Sequence, residues 1–235
     1  MNHLSLLNNF FYAIFILLTI SGCTNNEGNR YHITNNYNKE AITYFTQVGF
    51  NEKGTLKKWQ NDMTVSVIGK YDRNDLKSID EFIKVFNGLS GNIKMKRKEN
   101  GGNIIINFGE DKMFNPKGYV GLCSARSPFF FSNEISSAKI LIAPILGAKQ
   151  KRRTIHHELL HAIGLKHAIG LDGVKTEYKS YNMMGVNGYE SIDDYEKQTQ
   201  DIQNSELDKW AISILYDSSI KPGLKKSDFI KSIKK

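Results

Sequence analysis

The chain contains few cysteines, which limits both disulfide cross-links and cysteine ligands for a metal. Among its 235 residues only Cys23 and Cys123 are cysteines. Two cysteines exclude a disulfide scaffold and a zinc module built from cysteines. If Cys23 is modified, Cys123 has no partner within the chain. A lone thiol is then either a zinc ligand in a latent form or a small buried apolar residue.

Basic clusters interleaved with aromatic residues are also absent, although the formal net charge is +8 and the pI is about 9.3. Such clusters are typical of nucleic-acid-binding surfaces, so we expect no nucleic-acid partner. The charge predicts either a solvated lysine-rich surface or attraction to an anionic membrane or wall polymer. Apolar residues make up 40% and aromatic residues 11%, which fits one folded domain with appendages. We find no internal repeat and expect a monomer.

Uninterrupted apolar sequence is short at the N-terminus, where an apolar stretch extends from Leu4 to Ile20. Its densest part, Phe10–Ile20, falls short of the about 20 residues that a bilayer requires. No Lys or Arg precedes it. The stretch predicts a secretory signal over residues 1–22. An uncleaved signal anchor is the alternative, because Leu4–Gly22 is just long enough to span a bilayer that accommodates Asn8 and Asn9.

The end of this stretch, Ile20-Ser21-Gly22-Cys23, resembles the lipobox of bacterial lipoproteins. That resemblance implies a lipid anchor on Cys23 and a membrane-anchored location in the bacterial cell envelope, facing the periplasm or the cell surface. Several acyl chains on one residue anchor stably, since each buried CH₂ contributes about 0.8 kcal/mol. The polar, asparagine-rich residues that follow predict a tether or N-terminal segment over 23–55.

Hydrophobic periodicity predicts strands and helices over the following domain, 56–220, which precedes a basic tail, 221–235. Glu40–Phe50 is ambiguous. Ser78 with Glu81 predicts a capping box for the helix Asp75–Leu89, with Gly88 as its stop. A long loop is expected over Gly109–Ser132. The predicted strands are Met63–Tyr71, Asn92–Lys98, Asn103–Phe108 and Ala138–Ala143, and the predicted helices are Asp75–Leu89, Arg152–Ile163 and Ser205–Tyr216.

The most informative stretch is the histidine-rich segment from His157 to His167. On a helix, His157 and His161 share one face, so that both imidazoles can reach one ion. Glu158 follows the first ligand and stands beside the metal as a general base for water. Gly164 can end the helix in a left-handed conformation and return His167 as a third ligand. Three ligands leave a fourth position open, as in catalytic Zn2+ sites. A surface histidine cluster or a degenerate metal site is the alternative.

The pattern His-Glu-x-x-His-x-x-Gly-x-x-His resembles the zinc signature of the metzincins, a clan of zinc metallopeptidases. Metzincins also have a methionine-containing turn beneath the metal, and Tyr181–Gly185 is similar to it, with Met184 the better match and Met183 the alternative. The segment Ser205-x-x-Asp208-x-x-Ala211-Ile212 is similar to the closing helix of matrixin catalytic domains. The resemblance has departures. Val186 stands where astacins and serralysins have a tyrosine, and no matrixin-type cysteine switch precedes the domain.

The resemblance implies an α+β, zincin-like fold. Its twisted, mostly parallel five-stranded sheet has an antiparallel edge strand, a backing helix and an active-site helix, and an irregular C-terminal subdomain with a closing helix follows. By position, Ala138–Ala143 is expected to be the edge strand, so Ile140, Leu141 and Ile142 are the expected substrate-binding residues.

Two functions remain open at this stage. The first is a zinc-dependent endopeptidase that hydrolyses peptide bonds in proteins or peptides by metal-activated water. The second is a non-catalytic zinc-binding envelope lipoprotein that retains the metzincin fold. The presence of Glu158 together with the third ligand favours the endopeptidase, because binding alone does not need a general base.

Overall fold

A five-stranded mixed sheet forms the centre of the protein in a computed structural model that describes residues 36–109, 120–143, 146–168, 183–184 and 202–233. The predicted signal, Cys23, and the outer residues of the expected methionine turn lie outside these ranges. Within them, no helix has the length and apolar character needed to cross a membrane.

The strands of this sheet are β1 (Met63–Gly69), β2 (Met95–Arg97), β3 (Ile104–Phe108), β4 (Gly121–Arg126) and β5 (Ser137–Ile142). Their order in the sheet is β2-β1-β3-β5-β4. Strands β1, β2, β3 and β5 run parallel, while β4 pairs antiparallel with β5, placing Cys123 opposite Ile140. The expected mostly parallel five-stranded sheet with an antiparallel edge strand is confirmed.

The edge position was assigned wrongly from the sequence. Strand β5 pairs with β3 on one side and with β4 on the other, so Ile140, Leu141 and Ile142 lie inside the sheet. The edge is β4, which falls within the segment expected to be a loop. Its sequence, GLCSAR, lacks the alternation of large apolar residues that marks a half-buried strand, because its only large apolar residue, Leu122, is 50% exposed.

Five helices are described, and they include the three that periodicity predicts. The helix expected over Asp75–Leu89 begins earlier, at Arg73, because Asp72 and Asp75 form its capping box. The hydroxyl of Ser78 instead donates to the carbonyl oxygen of Asn74, so the expected Ser78–Glu81 box is wrong. The helices are α1 (Lys39–Val48), α2 (Arg73–Leu89), α3 (Ala148–Ala162), α4 (Glu206–Leu215) and α5 (Lys226–Ile233).

The first and last helices extend the folded unit beyond the 56–220 range. Tyr44 and Phe45 of α1 and Phe229 of α5 are fully buried. The Phe45 and Phe229 rings meet edge to face, with centroids 5.3 Å apart. Burying an aromatic side chain contributes roughly 1.5–3 kcal/mol. Helices on both sides of the predicted domain therefore belong to its core.

Candidate metal centre

Helix α3 places two of the three histidines through its own periodicity. His157 and His161 are one turn apart, and their ring centroids are 4.7 Å apart. The opposite face of α3, with Ile155, Leu159 and Ala162, is fully buried, and the helix packs against β4, β5 and α2. Burial of this face orients the two imidazoles away from the core.

Gly164 turns the chain back after α3. Its φ of +119° lies in a region that side-chain-bearing residues rarely adopt. A Cβ at this position would stand 2.3 Å from the carbonyl oxygen of Lys57. Glycine therefore satisfies both the backbone conformation and the close approach. The chain then brings His167 back to the histidines of the helix.

The three imidazoles converge through their Nε2 atoms. Nε2 of His167 lies 3.1 Å from Nε2 of His157 and 3.1 Å from Nε2 of His161. Two nitrogens bound tetrahedrally to one zinc ion, each at about 2.05 Å, are about 3.3 Å apart. The observed spacing is close to that of a zinc-binding group. Among the described residues this trio is the group of His, Cys and carboxylate side chains with such spacing.

The opposite ring nitrogens decide which atoms are free to bind. Nδ1 of His157 donates to the carbonyl oxygen of Met183 at 2.7 Å, and Nδ1 of His161 donates to that of Leu165 at 2.9 Å. Both Nε2 atoms therefore carry lone pairs. His167 has at most one Nε2 proton to offer to two lone pairs. A cation among the three nitrogens satisfies all of them, so the donor set fits a metal.

Desolvation favours the neutral form of these imidazoles. Desolvation lowers the pKa of His157 well below its ordinary value, with the neighbouring His161 and His167 adding to the effect. Desolvation also lowers the pKa of His161 to about 4 and lowers that of His167. Neutral imidazole is the form that binds metals. At neutral pH the trio is thus ready to bind without losing protons.

Met183 and Met184 hold the histidines in place through backbone groups. Met183 accepts the Nδ1–H of His157, and Met184 accepts the N–H of Ala168 at 2.7 Å, next to His167. Both methionine side chains are buried. These backbone contacts bring the methionine pair next to His157 and His167. Which methionine packs beneath the metal remains a prediction.

Asp208 of α4 in turn holds the methionine pair. Its carboxylate accepts the N–H of Met183 at 2.6 Å, the hydroxyl of Tyr44 at 2.5 Å and the hydroxyl of Ser205. Burial raises the pKa of Asp208, and these donors lower it. Sequence analysis singled out Ser205 and Asp208 only as parts of a helix pattern, and it missed Tyr44. An amphipathic α1 with an inward tyrosine was the signal available.

Glu158 is buried beside the edge strand. Its side chain is 6% exposed, and desolvation raises its pKa to about 8. Gly121, the first residue of β4, lies against it: a Cβ there would stand 2.6 Å from Oε1 of Glu158 and 2.5 Å from Cγ2 of Thr154. The glycine therefore leaves the space that the carboxyl group occupies. This brings the start of β4 next to the expected base.

Cys123 lies two residues further along β4 and is half-buried. Desolvation raises the pKa of its thiol to about 12, and the charge of Glu158 adds to the effect. Cys123 also packs against the apolar core. Of the two expectations for this residue, the small apolar one agrees with its surroundings.

Comparison with known proteins finds distant likeness in shape. No family model matches the chain, and no curated protein matches it. Two structures of myroilysin are similar at 15% identity, one over 69% of this chain and 83% of that chain with a TM-score of 0.40, the other over 77% and 97% with 0.41. High choriolytic enzyme 1, a hatching enzyme zinc-protease from Oryzias latipes (Medaka fish), is similar at 16% identity over 72% of this chain and 92% of that chain, with a TM-score of 0.35. At these values, function has to be argued from the site itself.

Proposed function

We propose that the protein is a zinc-dependent endopeptidase that hydrolyses peptide bonds in proteins or peptides. The observation that carries the proposal is the convergence of three Nε2 atoms, from His157, His161 and His167, on one point. Three neutral imidazoles suit zinc better than magnesium or calcium, which prefer oxygen ligands. Three protein ligands also leave room for a water or substrate, as catalytic zinc sites require.

The chain's own residues supply the proton transfer. When bound, zinc polarises a carbonyl group and lowers the pKa of water. Glu158 directly follows a ligand and is held in a site largely closed to solvent. A cation held by the three histidines would favour the ionised form of Glu158. That carboxylate then takes a proton from the attacking water, holds it at one oxygen, and gives it to the leaving amine. Gly121 keeps the space for that carboxylate free.

The substrate would lie along β4, in place of the previously expected β5. Within the described part of the chain, β4 pairs with β5 on one side only, so the backbone groups of its other edge are available for pairing. An extended peptide can add to such an edge through main-chain hydrogen bonds. Because β4 begins beside Glu158, a peptide paired with it passes the proposed base. This arrangement favours protein or peptide substrates.

Metal analysis tests the first half of the proposal. We expect one zinc per chain in the purified protein, retained after dialysis. His161→Ala should lose most of that zinc, because it removes one of three ligands, whereas the exposed Glu99→Gln in the β2–β3 turn should keep it. A content well under one zinc per parent chain after zinc loading would refute the metal site.

Replacement of the base tests the second half. Glu158→Gln preserves shape but cannot accept the proton, so peptidase activity should fall by about 10²–10⁴-fold while the zinc content stays unchanged. Glu99→Gln serves again as the control. A parent that holds zinc but cleaves no protein or peptide would instead favour the non-catalytic zinc-binding lipoprotein. A Glu158→Gln variant as active as the parent would show that another residue is the base.

We also propose a lipid anchor on Cys23, which would hold the protein in a bacterial cell envelope. Cys23 lies outside the described ranges. The support is the Ile20-Ser21-Gly22-Cys23 sequence that ends the apolar stretch. In detergent phase separation the parent should enter the detergent phase, and Cys23→Ser should partition differently between the detergent and aqueous phases. Mass spectrometry should find lipid on Cys23 of the parent. Intact residues 1–22 with an unmodified Cys23 would favour the signal anchor instead.

A further inference from the structure

The loop between β4 and β5 exposes three consecutive phenylalanines. Phe129, Phe130 and Phe131 are 76%, 93% and 91% exposed, whereas no other large apolar residue in the described part of the chain exceeds 50%. Single exposed apolar residues are common on protein surfaces, but a contiguous cluster marks an interaction site. We call residues 127–133 the phenylalanine loop.

The shape of this loop is set by hydrogen bonds. The N–H of Ser132 donates to the carbonyl oxygen of Phe129 at 3.0 Å, which closes a turn with Phe130 and Phe131 at its centre. The rings of Phe130 and Phe131 meet edge to face, with centroids 5.1 Å apart. The two most exposed rings therefore stand together at the tip of a closed turn.

The base of the loop is pinned to the segment before β1. The N–H of Lys58 donates to the carbonyl oxygen of Asn133 at 3.4 Å, and the N–H of Ile135 donates to that of Lys58 at 2.9 Å. Nζ of Lys57 donates to the hydroxyl of Ser127 at 3.2 Å. Both ends of the loop are thus fastened, so the fold itself presents the three rings to the exterior.

Cations flank the lower part of the phenylalanine loop. Arg126 is exposed and directly precedes the loop, Lys57 contacts it, and Lys221 is close enough to Lys58 to act on its charge. Carboxylates in this part of the fold include Glu134, Asp217 and Glu52. Exposed aromatic rings with cations behind them are typical of protein segments that enter the boundary between lipid headgroups and acyl chains.

We propose that the phenylalanine loop docks onto a bilayer surface that carries anionic headgroups, with Phe130 and Phe131 entering the interface. A convex tip needs no complementary groove, and a lipid surface accepts apolar rings without a specific partner. The flanking cations and the formal net charge of +8 favour anionic headgroups. The proposal depends neither on the metal site nor on the anchor at Cys23.

The structure offers a matched control on the other side of the sheet. The loop precedes β5, and so lies at the end of the sheet where the parallel strands begin. Tyr71 follows β1, at the end where the parallel strands finish, and is 44% exposed. A probe at position 130 and a probe at position 71 should therefore report on opposite ends of the domain.

The experiment uses the full chain bound to vesicles of phosphatidylcholine and phosphatidylglycerol with brominated acyl chains, which quench tryptophan on contact. Phe130→Trp and Tyr71→Trp are compared, each corrected for the parent's Trp59 and Trp210. The local readout is needed because the N-terminal apolar stretch can bind vesicles in every variant. We expect about twofold or greater quenching of the added tryptophan at 130 and none at 71.

The outcomes separate the proposal from its competitors. Equal quenching at both positions, or none at 130, overturns lipid docking. A blue shift at 130 that grows with protein concentration in the absence of vesicles points to contact between copies of the chain, and also overturns it. Phosphatidylcholine vesicles should quench position 130 less, and equal quenching would refute the preference for anionic headgroups. Replacing all three phenylalanines with serine should leave the free energy of unfolding unchanged. In oxidative footprinting of that variant, vesicles should no longer protect the loop.

Discussion

The two halves of the candidate metal centre are held in different ways. His157 and His161 share one helix, whose spacing alone brings their rings together. His167 lies outside any helix, and its position depends on the turn at Gly164 and on the backbone bond from Ala168 to Met184. The helical half is thus specified locally, whereas the non-helical half is specified by contacts between distant parts of the chain.

This difference teaches where the site is vulnerable. A change in the helical half should remove a ligand and leave the fold intact. A change in the non-helical half should lower both the free energy of unfolding and the affinity for metal. The following predictions test that contrast, with unfolding measured in the presence of a chelator so that metal binding does not contribute to stability.

Asp208→Ala should have the largest effect. It removes the buried carboxylate that accepts hydrogen bonds from Tyr44, Ser205 and Met183, so the free energy of unfolding should fall by about 3–5 kcal/mol. Urea unfolding measures the loss, and zinc titration should show weaker binding, because Met183 positions His157. By contrast, His161→Ala should lose zinc and change stability by less than about 1 kcal/mol. Equal destabilisation by the two variants would remove the contrast between the halves.

Gly164→Ala should be next, at about 2–4 kcal/mol, because alanine disfavours the positive φ and its Cβ would collide with the carbonyl oxygen of Lys57. Gly147, at the start of α3, provides the control, since a Cβ there meets nothing within 4 Å. Gly147→Ala should change the free energy of unfolding by less than about 1 kcal/mol. If both variants unfold at the parent's urea midpoint, the turn after α3 is not constrained in the way described.

Burial of Lys58, next to the Lys57 carbonyl that faces Gly164, should make the free energy of unfolding depend on pH. Lys58 is 6% exposed, and desolvation lowers its pKa from 10.5 to about 8. Between these values the unfolded chain binds more protons than the folded one, so stability should rise with pH in that window. From pH 7 to pH 10 the parent should gain on the order of 2 kcal/mol relative to Lys58→Met. A constant difference between the two proteins across these pH values would contradict the shift.

Tyr44→Phe should have the smallest effect, because it removes one of several hydrogen bonds to Asp208. The expected loss is about 1–2 kcal/mol, with a small decrease in zinc affinity. Thr43→Ser, on the exposed side of α1, is the control. The effects of Tyr44→Phe and Asp208→Ala should not be additive in a double-mutant cycle. Additivity would mean that α1 does not act on the site through Asp208.

Sequence analysis predicted the local features well, because a helix period or a ligand spacing is contained in a few neighbouring residues. The three predicted helices and the histidine trio are examples. It failed where distant contacts decide. Strand β4 went unseen because Gly121–Arg126 has no apolar alternation and owes its conformation to pairing with β5. That omission made Ile140 seem an edge residue. Tyr44 was missed because its partner, Asp208, lies 164 residues away.

The bond between Tyr44 and Asp208 also has a consequence for the order of folding. Helix α1 is synthesised early and α4 late, so Tyr44 has no carboxylate to bind until most of the chain has been made. His157 likewise lacks its backbone anchor until Asp208 can hold Met183. Contacts of such long sequence separation form slowly, because the loop between them must close first. We therefore expect the metal centre to mature at the end of folding, after translation of the domain is complete.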